Sequence, residues 1–237
     1  MAVKKVEVPD LGTVHLFKRK GVRSIRLSIG HEGELRVSLP YWMPYGAAIE
    51  FVRSKQEWIS SKRIIVEPLA HGGRIGKAHT LRFVPEPGRT ALATRITNTG
   101  EVRVFMPNTM TPAHPEAQKA AQRASVRALK QQAERLLPQR LEDLARQHGF
   151  SYNAVSVKQL KTRWGSCTEK SDIALNVFLM QLPWRLIDYV LLHELVHTRI
   201  MAHGPVFWDE LGHYIPDLKA VRKEMKTYRP VLLAQAL

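Results

Sequence analysis

Leu186-Ile187-Asp188-Tyr189-Val190-Leu191-Leu192-His193-Glu194-Leu195-Val196-His197 is the stretch on which the reading of this chain turns. Leu186, Ile187, Val190, Leu191, Leu192, Leu195 and Val196 recur at helical spacing, which predicts a mostly buried helix. Two imidazoles and a carboxylate are costly in such a helix unless something satisfies them. At about 100° per residue, His193 and His197 lie roughly 40° and one turn apart, so one divalent metal can bond both rings. Glu194 turns to one flank of the pair, within reach of a water beside the metal. Chance alone produces H-E-x-x-H in about 3 of a hundred chains of this composition, and with a further histidine at a set position in roughly one in a thousand. The competing reading is a solvated helix face, and the apolar surroundings are the wrong kind for one.

His203 follows six residues after His197. Continued as ideal helix it would sit about 80° from His193 on the other side and nearly three turns away. The chain must therefore bend after Thr198 or Arg199, and Gly204-Pro205 supplies residues that end a helix and reverse its direction. Glu210 and His213 are rival third ligands. Three histidines leave one position open for water, the catalytic arrangement of zinc. The expected centre is thus one zinc ion on His193, His197 and His203, with Glu194 taking a proton from water and passing it to the leaving amine. Asp188 either orients a ligating ring or lies at the surface.

Outward from the helix, the chain reads V-K-Q-L-K-T-R-W-G-S-C over 157–167, I-A-L-N-V-F-L over 173–179, and A-H-G-P-V-F-W over 202–208. With L-P at 182–183 and the helix itself, this series resembles the YgjP-like metallopeptidases, zinc-dependent hydrolases related more distantly to the SprT and WLM proteases. The likeness spans about residues 15–230, strongly after Lys158 and more loosely before it, through K-R-K-G-V-R-S-I-R-L-S-I and the helix ending at Trp58-Ile59. It implies an α+β fold with a zincin-like core and a β-rich N-terminal part. It also implies that His193, His197 and His203 are the zinc ligands and Glu194 the catalytic glutamate. Ile200 and Ala202 stand where members often carry His and Asn, and neither is a ligand position.

Composition agrees with a globular enzyme. The 237 residues can form one large domain or two small ones, with 44% hydrophobic and 24% charged content. No apolar run is long enough to span a bilayer, and the first ten residues lack the apolar core of a secretory signal. Cys167 is the single cysteine, so no intrachain disulfide forms and a cytoplasmic setting is expected. The formal charge of +15 is spread out, at +5 over residues 1–67, +4 over 68–111, +3 over 112–148 and +3 over 149–237. Lys18-Arg19-Lys20 with Arg23 and Arg26 is the one cluster, with no aromatic platform interleaved in it. Nonspecific attraction to nucleic acid at low salt is the partner reading this supports.

Alternation predicts strands at Val14–Phe17, Ser24–Ile29 and Glu34–Leu39, the last two joined by a G-H-E-G turn. A helix is expected over Ala47–Ile65, then strands at Thr80–Val84, Thr90–Thr97 and Glu101–Met106. Thr111-Pro112 and Pro115 open a long helix to His148, which Pro138 should kink or split and Gly149 should stop. Strands at Val155–Lys161 and Ile173–Leu179 precede the metal helix, and a last helix runs from about Pro216 to Tyr228. No internal repeat stands out. A β-rich part over 1–111 and a helical catalytic part over 112–237 are expected.

Two other signals are weak. Gly76-Lys77 hints at a phosphate loop, but His71 replaces the needed glycine and Ala78 the Ser or Thr, which leaves a flexible turn. Cys167 is expected as a packed small residue rather than a nucleophile. Trp164-Gly165-Ser166 fits a strand edge beside the metal helix that receives an extended peptide, with Asn176 adding a polar contact; Trp164 as a core residue is the competing reading. Peptide-bond hydrolysis of a peptide or protein substrate is the leading function. The alternatives are a nucleoside triphosphate (UTP) pyrophosphatase on the same metal, an activity linked to some family members, and a nucleic-acid-associated protein with a non-catalytic metal. Intact Glu194 argues against the last.

Overall fold

A computed structural model of the chain describes residues 3–30, 34–62 and 67–232. The chain is α+β and divides into two compact units, Met1–Val66 and Glu67–Leu237. The boundary expected at residue 111 falls inside the second unit. Strands that looked like part of an N-terminal β-rich region instead share a core with the long helix and the metal helix.

In the first unit, β1 (Val3–Val8), β2 (Gly12–Arg19), β3 (Arg26–Ile29) and β4 (Leu35–Pro40) form a sheet in the order β1-β2-β4-β3. β2 and β4 run parallel and the outer pairs antiparallel. Period-2 alternation turns Val14, Leu16, Leu35, Val37 and Leu39 to one face, where Ala48 and Val52 of α1 (Tyr45–Ser54) and Ile59 of α2 (Gln56–Lys62) complete the core. The helix expected over Ala47–Ile65 breaks at Lys55, and residues 63–66 lie outside the described residues. The G-H-E-G turn also falls largely on residues not described, although β3 and β4 pair as a hairpin would.

The second unit begins with β5 (Arg74–Ile75), β6 (His79–Glu86), β7 (Ala93–Ile96) and β8 (Glu101–Pro107), in the order β5-β6-β8-β7. This sheet repeats the first. The pairings among β2, β3 and β4 recur 67 positions on, with Val14↔Leu35 becoming Leu81↔Val102 and Arg26↔Ser38 becoming Ala93↔Phe105, and the short β5 keeps two of the six β1 pairs, Glu7↔Thr13 becoming Arg74↔Thr80. G-E-L-R-V-S-L-P-Y-W-M at 33–43 answers G-E-V-R-V-F-M-P-N-T-M at 100–110. The chain therefore does contain an internal repeat. It escapes a reading by eye because identity is confined to this one hairpin arm, while the remaining positions keep only their in–out pattern.

α3 (Pro115–His148) covers the inner face of the second sheet with a stripe of small residues, Ala117, Ala121, Ala124 and Ala128, against Leu81, Phe83, Val102, Val104 and Met106. Its N-cap is His114, whose ring accepts the Glu116 N–H, and it stops at Gly149 in the left-handed conformation (φ 68°). Pro138 does not split it. Leu137 and Leu141, buried on either side of the proline, hold that turn in the core, and packing outweighs the one missing hydrogen bond. Further along, α3 contacts β9 (Ala154–Lys158) of a second sheet ordered β10-β11-β9, with β10 at Gly165–Cys167 and β11 at Asp172–Asn176. It then meets α4 (Trp184–His197), which α5 (Pro205–Tyr214) and α6 (Leu218–Met225) follow. The strand expected to reach Leu179 ends at Asn176, whose side chain accepts from the Phe178 N–H and starts a 3₁₀ turn over Val177–Gln181. Among the described residues no helix is long and apolar enough to cross a membrane.

The Gly76-Lys77 turn is pinned rather than flexible. Buried Gln132 of α3 accepts from the N–H groups of Lys77 (2.6 Å) and Ala78 (3.2 Å), donates to the Ile75 carbonyl (2.9 Å), and lies 2.7 Å from His79 Nδ1. Lys77 Nζ in turn donates to the Leu182 carbonyl at the entry to α4. Gln132→Ala should lower unfolding stability by about 2–4 kcal/mol, because several backbone groups lose their partner at once. A shift in the urea midpoint at unchanged slope would read this directly, and a wild-type midpoint would refute it.

Candidate metal centre

α4 buries Leu186, Ile187, Val190, Leu191, Leu195 and Val196, the apolar set that predicted it. Asp188, off that face, takes a two-pronged pair from Arg140 of α3 at 2.8 and 2.7 Å. It clamps two helices together and touches no histidine. The helix ends at His197. Thr198 Oγ1 donates back to the Leu195 carbonyl, Ile200 N–H bonds Val196, and the chain turns through Met201 and Ala202 to reach Gly204 at the head of α5.

That turn carries His203 back to the other two histidines. The three Nε2 atoms form a near-equilateral triangle: His193 to His197 3.2 Å, His197 to His203 3.1 Å, His203 to His193 3.1 Å. His197 Nδ1 lies 3.1 Å from the Ile200 carbonyl, which can only accept, so Nδ1 carries the proton and Nε2 presents a lone pair. Burial and the neighbouring His197 and His203 push His193 down to about 3, so it too is neutral at ordinary pH. Converging imidazole nitrogens repel unless a cation lies among them. Nitrogens about 2.0–2.1 Å from one tetrahedral ion stand roughly 3.3 Å apart, close to the triangle observed. Among the described residues this trio is the group of donors able to hold a metal. Glu210 is engaged instead by the Tyr214 hydroxyl (2.6 Å) and Arg199 (3.4 Å), and His213 is exposed outside the group.

Phe207 holds the trio together. Fully buried, it packs against all three rings at centroid distances of 4.9, 4.5 and 4.8 Å. Trp208 donates its indole N–H to the His203 carbonyl at 3.1 Å, and Arg222 of α6 stacks on that indole at 3.6 Å. Tyr189, one turn before His193, lies 6.0 Å from its ring. Sequence reading noted Phe207 and Trp208 only as letters of a motif, and their spacing from His203 was the signal available.

Glu194 is buried against β10. A Cβ on Gly165 would meet its Oε1 at 2.5 Å and its Cδ at 2.9 Å, so only glycine lets the carboxyl lie there. Burial pushes that carboxyl up to about 8, against the lowering influence of Arg163. Cys167 is half-buried and packed on the core, its thiol raised to about 11 by burial and by Glu194, which does not suit a nucleophile. Trp164 also packs on the core, and Ser166 lies on β10, an edge strand paired only with β11. Asn176 departs from expectation. It is fully buried, and its amide donates to the carbonyls of Leu160 and Arg163, both at 2.8 Å. With its oxygen on the Phe178 N–H, it has no group left for a substrate and serves to fix the loop leading into Gly165.

Among known proteins, a family model described as the YgjP-like metallopeptidase domain matches residues 23–228. Comparison with curated proteins gives no match. The metallopeptidase zymogen abylysin of Pyrococcus abyssi is similar at 23% identity and a TM-score of 0.36, over 39% of this chain and 93% of that one.

The two perturbed groups act on stability in opposite directions. With metal removed, His193 titrates near 3 instead of 6.5, so the unfolded chain binds more protons between those values and stability falls as the pH drops. Glu194 titrates near 8 instead of 4.5, so the folded chain holds the extra proton and stability falls as pH rises between those values. Chelator-treated protein should therefore show a plateau between 4.5 and 6.5 with a decline on each side. Urea unfolding across pH tests it: Glu194→Gln should abolish the alkaline decline, and its persistence would exclude Glu194 as the source.

Proposed function

The chain belongs to the YgjP-like metallopeptidase family, and on that premise we propose that it is a zinc peptidase. In this reading His193, His197 and His203 hold one zinc ion and Glu194 is the general base. The observation that carries it is the triangle of Nε2 atoms at 3.1–3.2 Å with a buried carboxyl on the adjoining helix position. Bound zinc supplies Lewis acidity to the scissile carbonyl and to water. Glu194 takes the water proton and returns it to the leaving amine. An extended peptide adds to the free edge of β10 along Trp164, Gly165 and Ser166, with Gly165 keeping both the strand and Glu194 close to the reacting bond.

One observation favours a second reading, hydrolysis of a nucleoside triphosphate such as UTP. A groove of about 570 Å3 is lined by Pro205, Val206, Trp208, Asp209, Leu218, Lys219 and Arg222, and its two cations against one carboxylate leave a net positive charge for a polyphosphate.

Metal analysis of the purified protein, then assays on peptide and nucleotide panels with and without chelator, separates the two: new amino termini mark the first and released diphosphate the second. Glu194→Gln should retain zinc and lose turnover by orders of magnitude, since an amide cannot accept the proton; retained turnover would end the general-base assignment. Gly165→Ala should also keep zinc but lose about 100-fold in kcat, because the added methyl displaces the Glu194 carboxyl.

A further inference from the structure

The two copies of the repeated sheet treat their outward faces differently. In the second copy Arg82, Arg89 and Arg103 are tied down, while Arg74 and Arg95 have no carboxylate within ion-pair distance among the described residues. Arg82 and Arg103 both pair with Glu101, at 3.4 and 2.6 Å, and Arg89 pairs with Glu86 (2.6 Å) while lying 5.4 Å over Phe105. In the first copy, strand alternation turns Lys5, His15, Phe17, Arg19, Arg26, Ser28 and Arg36 outward, together with Val3 and Ser38 on either side of Phe17 and Glu7 next along β1 from Lys5. Lys5, Arg19, Arg26, Ser28 and Arg36 are exposed. Arg36 pairs with Glu34 at 3.0 Å, whereas among the described residues no carboxylate stands within ion-pair distance of Lys5, Arg19 or Arg26. Phe17 sits centrally on this face and takes no part in the core that α1 and α2 share with the sheet. At the end of the same strands the Tyr41 N–H bonds the Arg19 carbonyl (3.1 Å), and Tyr41 and Trp42 are 63% and 73% exposed.

We propose that this outward face of the first unit, centred on Phe17 and flanked by Arg19, Arg26 and Arg36, binds single-stranded nucleic acid. Unpaired guanidinium and ammonium groups on a sheet attract phosphates, and an aromatic ring among them offers a stacking platform for an unpaired base. A duplex keeps its bases stacked on each other and cannot use that ring. A lipid surface needs a contiguous apolar patch, whereas here Val3 alone extends the apolar surface of Phe17, and His15, Arg19 and Ser38 adjoin it otherwise. Arg26 and Arg36 lie 9 and 19 positions along the chain from Phe17, and the pairings of β2 with β4 and of β3 with β4 bring them to one face with it.

Fluorescence anisotropy of labelled U20 RNA, T20 DNA and a 20-base-pair duplex, with the full chain at 50 and 200 mM salt, tests this independently of any hydrolysis. Both single strands should bind at least tenfold more tightly than the duplex, and the RNA and DNA arms identify which polymer is preferred. Phe17→Ala should weaken single-strand binding about tenfold or more, and Phe17→Trp should restore it. The double change Arg26→Ala with Arg36→Ala should flatten the log–log salt dependence by about 1.4, at roughly 0.7 for each lost phosphate contact. None of these variants should alter zinc content. Absence of binding, equal affinity for the duplex, indifference to Phe17, or binding only to phosphatidylserine vesicles would each overturn the proposal.

Discussion

Three imidazole nitrogens brought to within 3.1–3.2 Å of one another are an unfavourable arrangement for neutral rings, and much of the second unit works to hold them there. Two come at no conformational cost from one helical turn. The third has to be returned by a six-residue reversal, and that reversal is secured at several points. The Ile200 carbonyl accepts a hydrogen bond from the His197 Nδ1–H, the Trp208 indole N–H donates to the His203 carbonyl, and Phe207 packs against all three rings. Such a trio could hold a metal ion, which would relieve the repulsion among its nitrogens.

The convergence of His193 and His197 was legible in sequence because helical periodicity converts spacing directly into direction. The i, i+4 pair needs no tertiary information, and the His203 return needed only a helix terminator close by. Asp188 and Asn176 were misjudged for a common reason. Each is a polar residue beside a site, and proximity along the chain does not reveal which partner satisfies it. Arg140 lies 48 residues away from Asp188, and the carbonyls that Asn176 holds belong to a loop before it. Gly165 was expected at close backbone approach, and the approaching group is Glu194 of the chain itself.

The fold was read well strand by strand and less well as an assembly. Alternating residues located most of both four-stranded sheets, but β1 and β5 were passed over. The two-residue β5 is too short for a period-2 pattern to register. The domain boundary was misjudged because the second sheet looks in sequence like a continuation of the first. It is a second edition of it, joined to α3 rather than to α1 and α2. A long helix rich in alanine supplies a surface that the short helices of the first unit do not, and on that surface the metal helix is assembled.

Identical pairing rules in two places also bear on how the chain reaches its native state. Parallel partners sit 21 positions apart in both halves, Val14 with Leu35 and Leu81 with Val102, and each strand turns the same kind of aliphatic residue inward. Before either half has collapsed, β2 can recruit β8, and β6 can recruit β4, with apolar faces matched. Such crossed pairings close a far longer loop or a topologically different one, so they are slow to form yet slow to undo. Refolding from denaturant thus has a built-in competitor, and synthesis from the N-terminus, which completes the first half before the second emerges, avoids it.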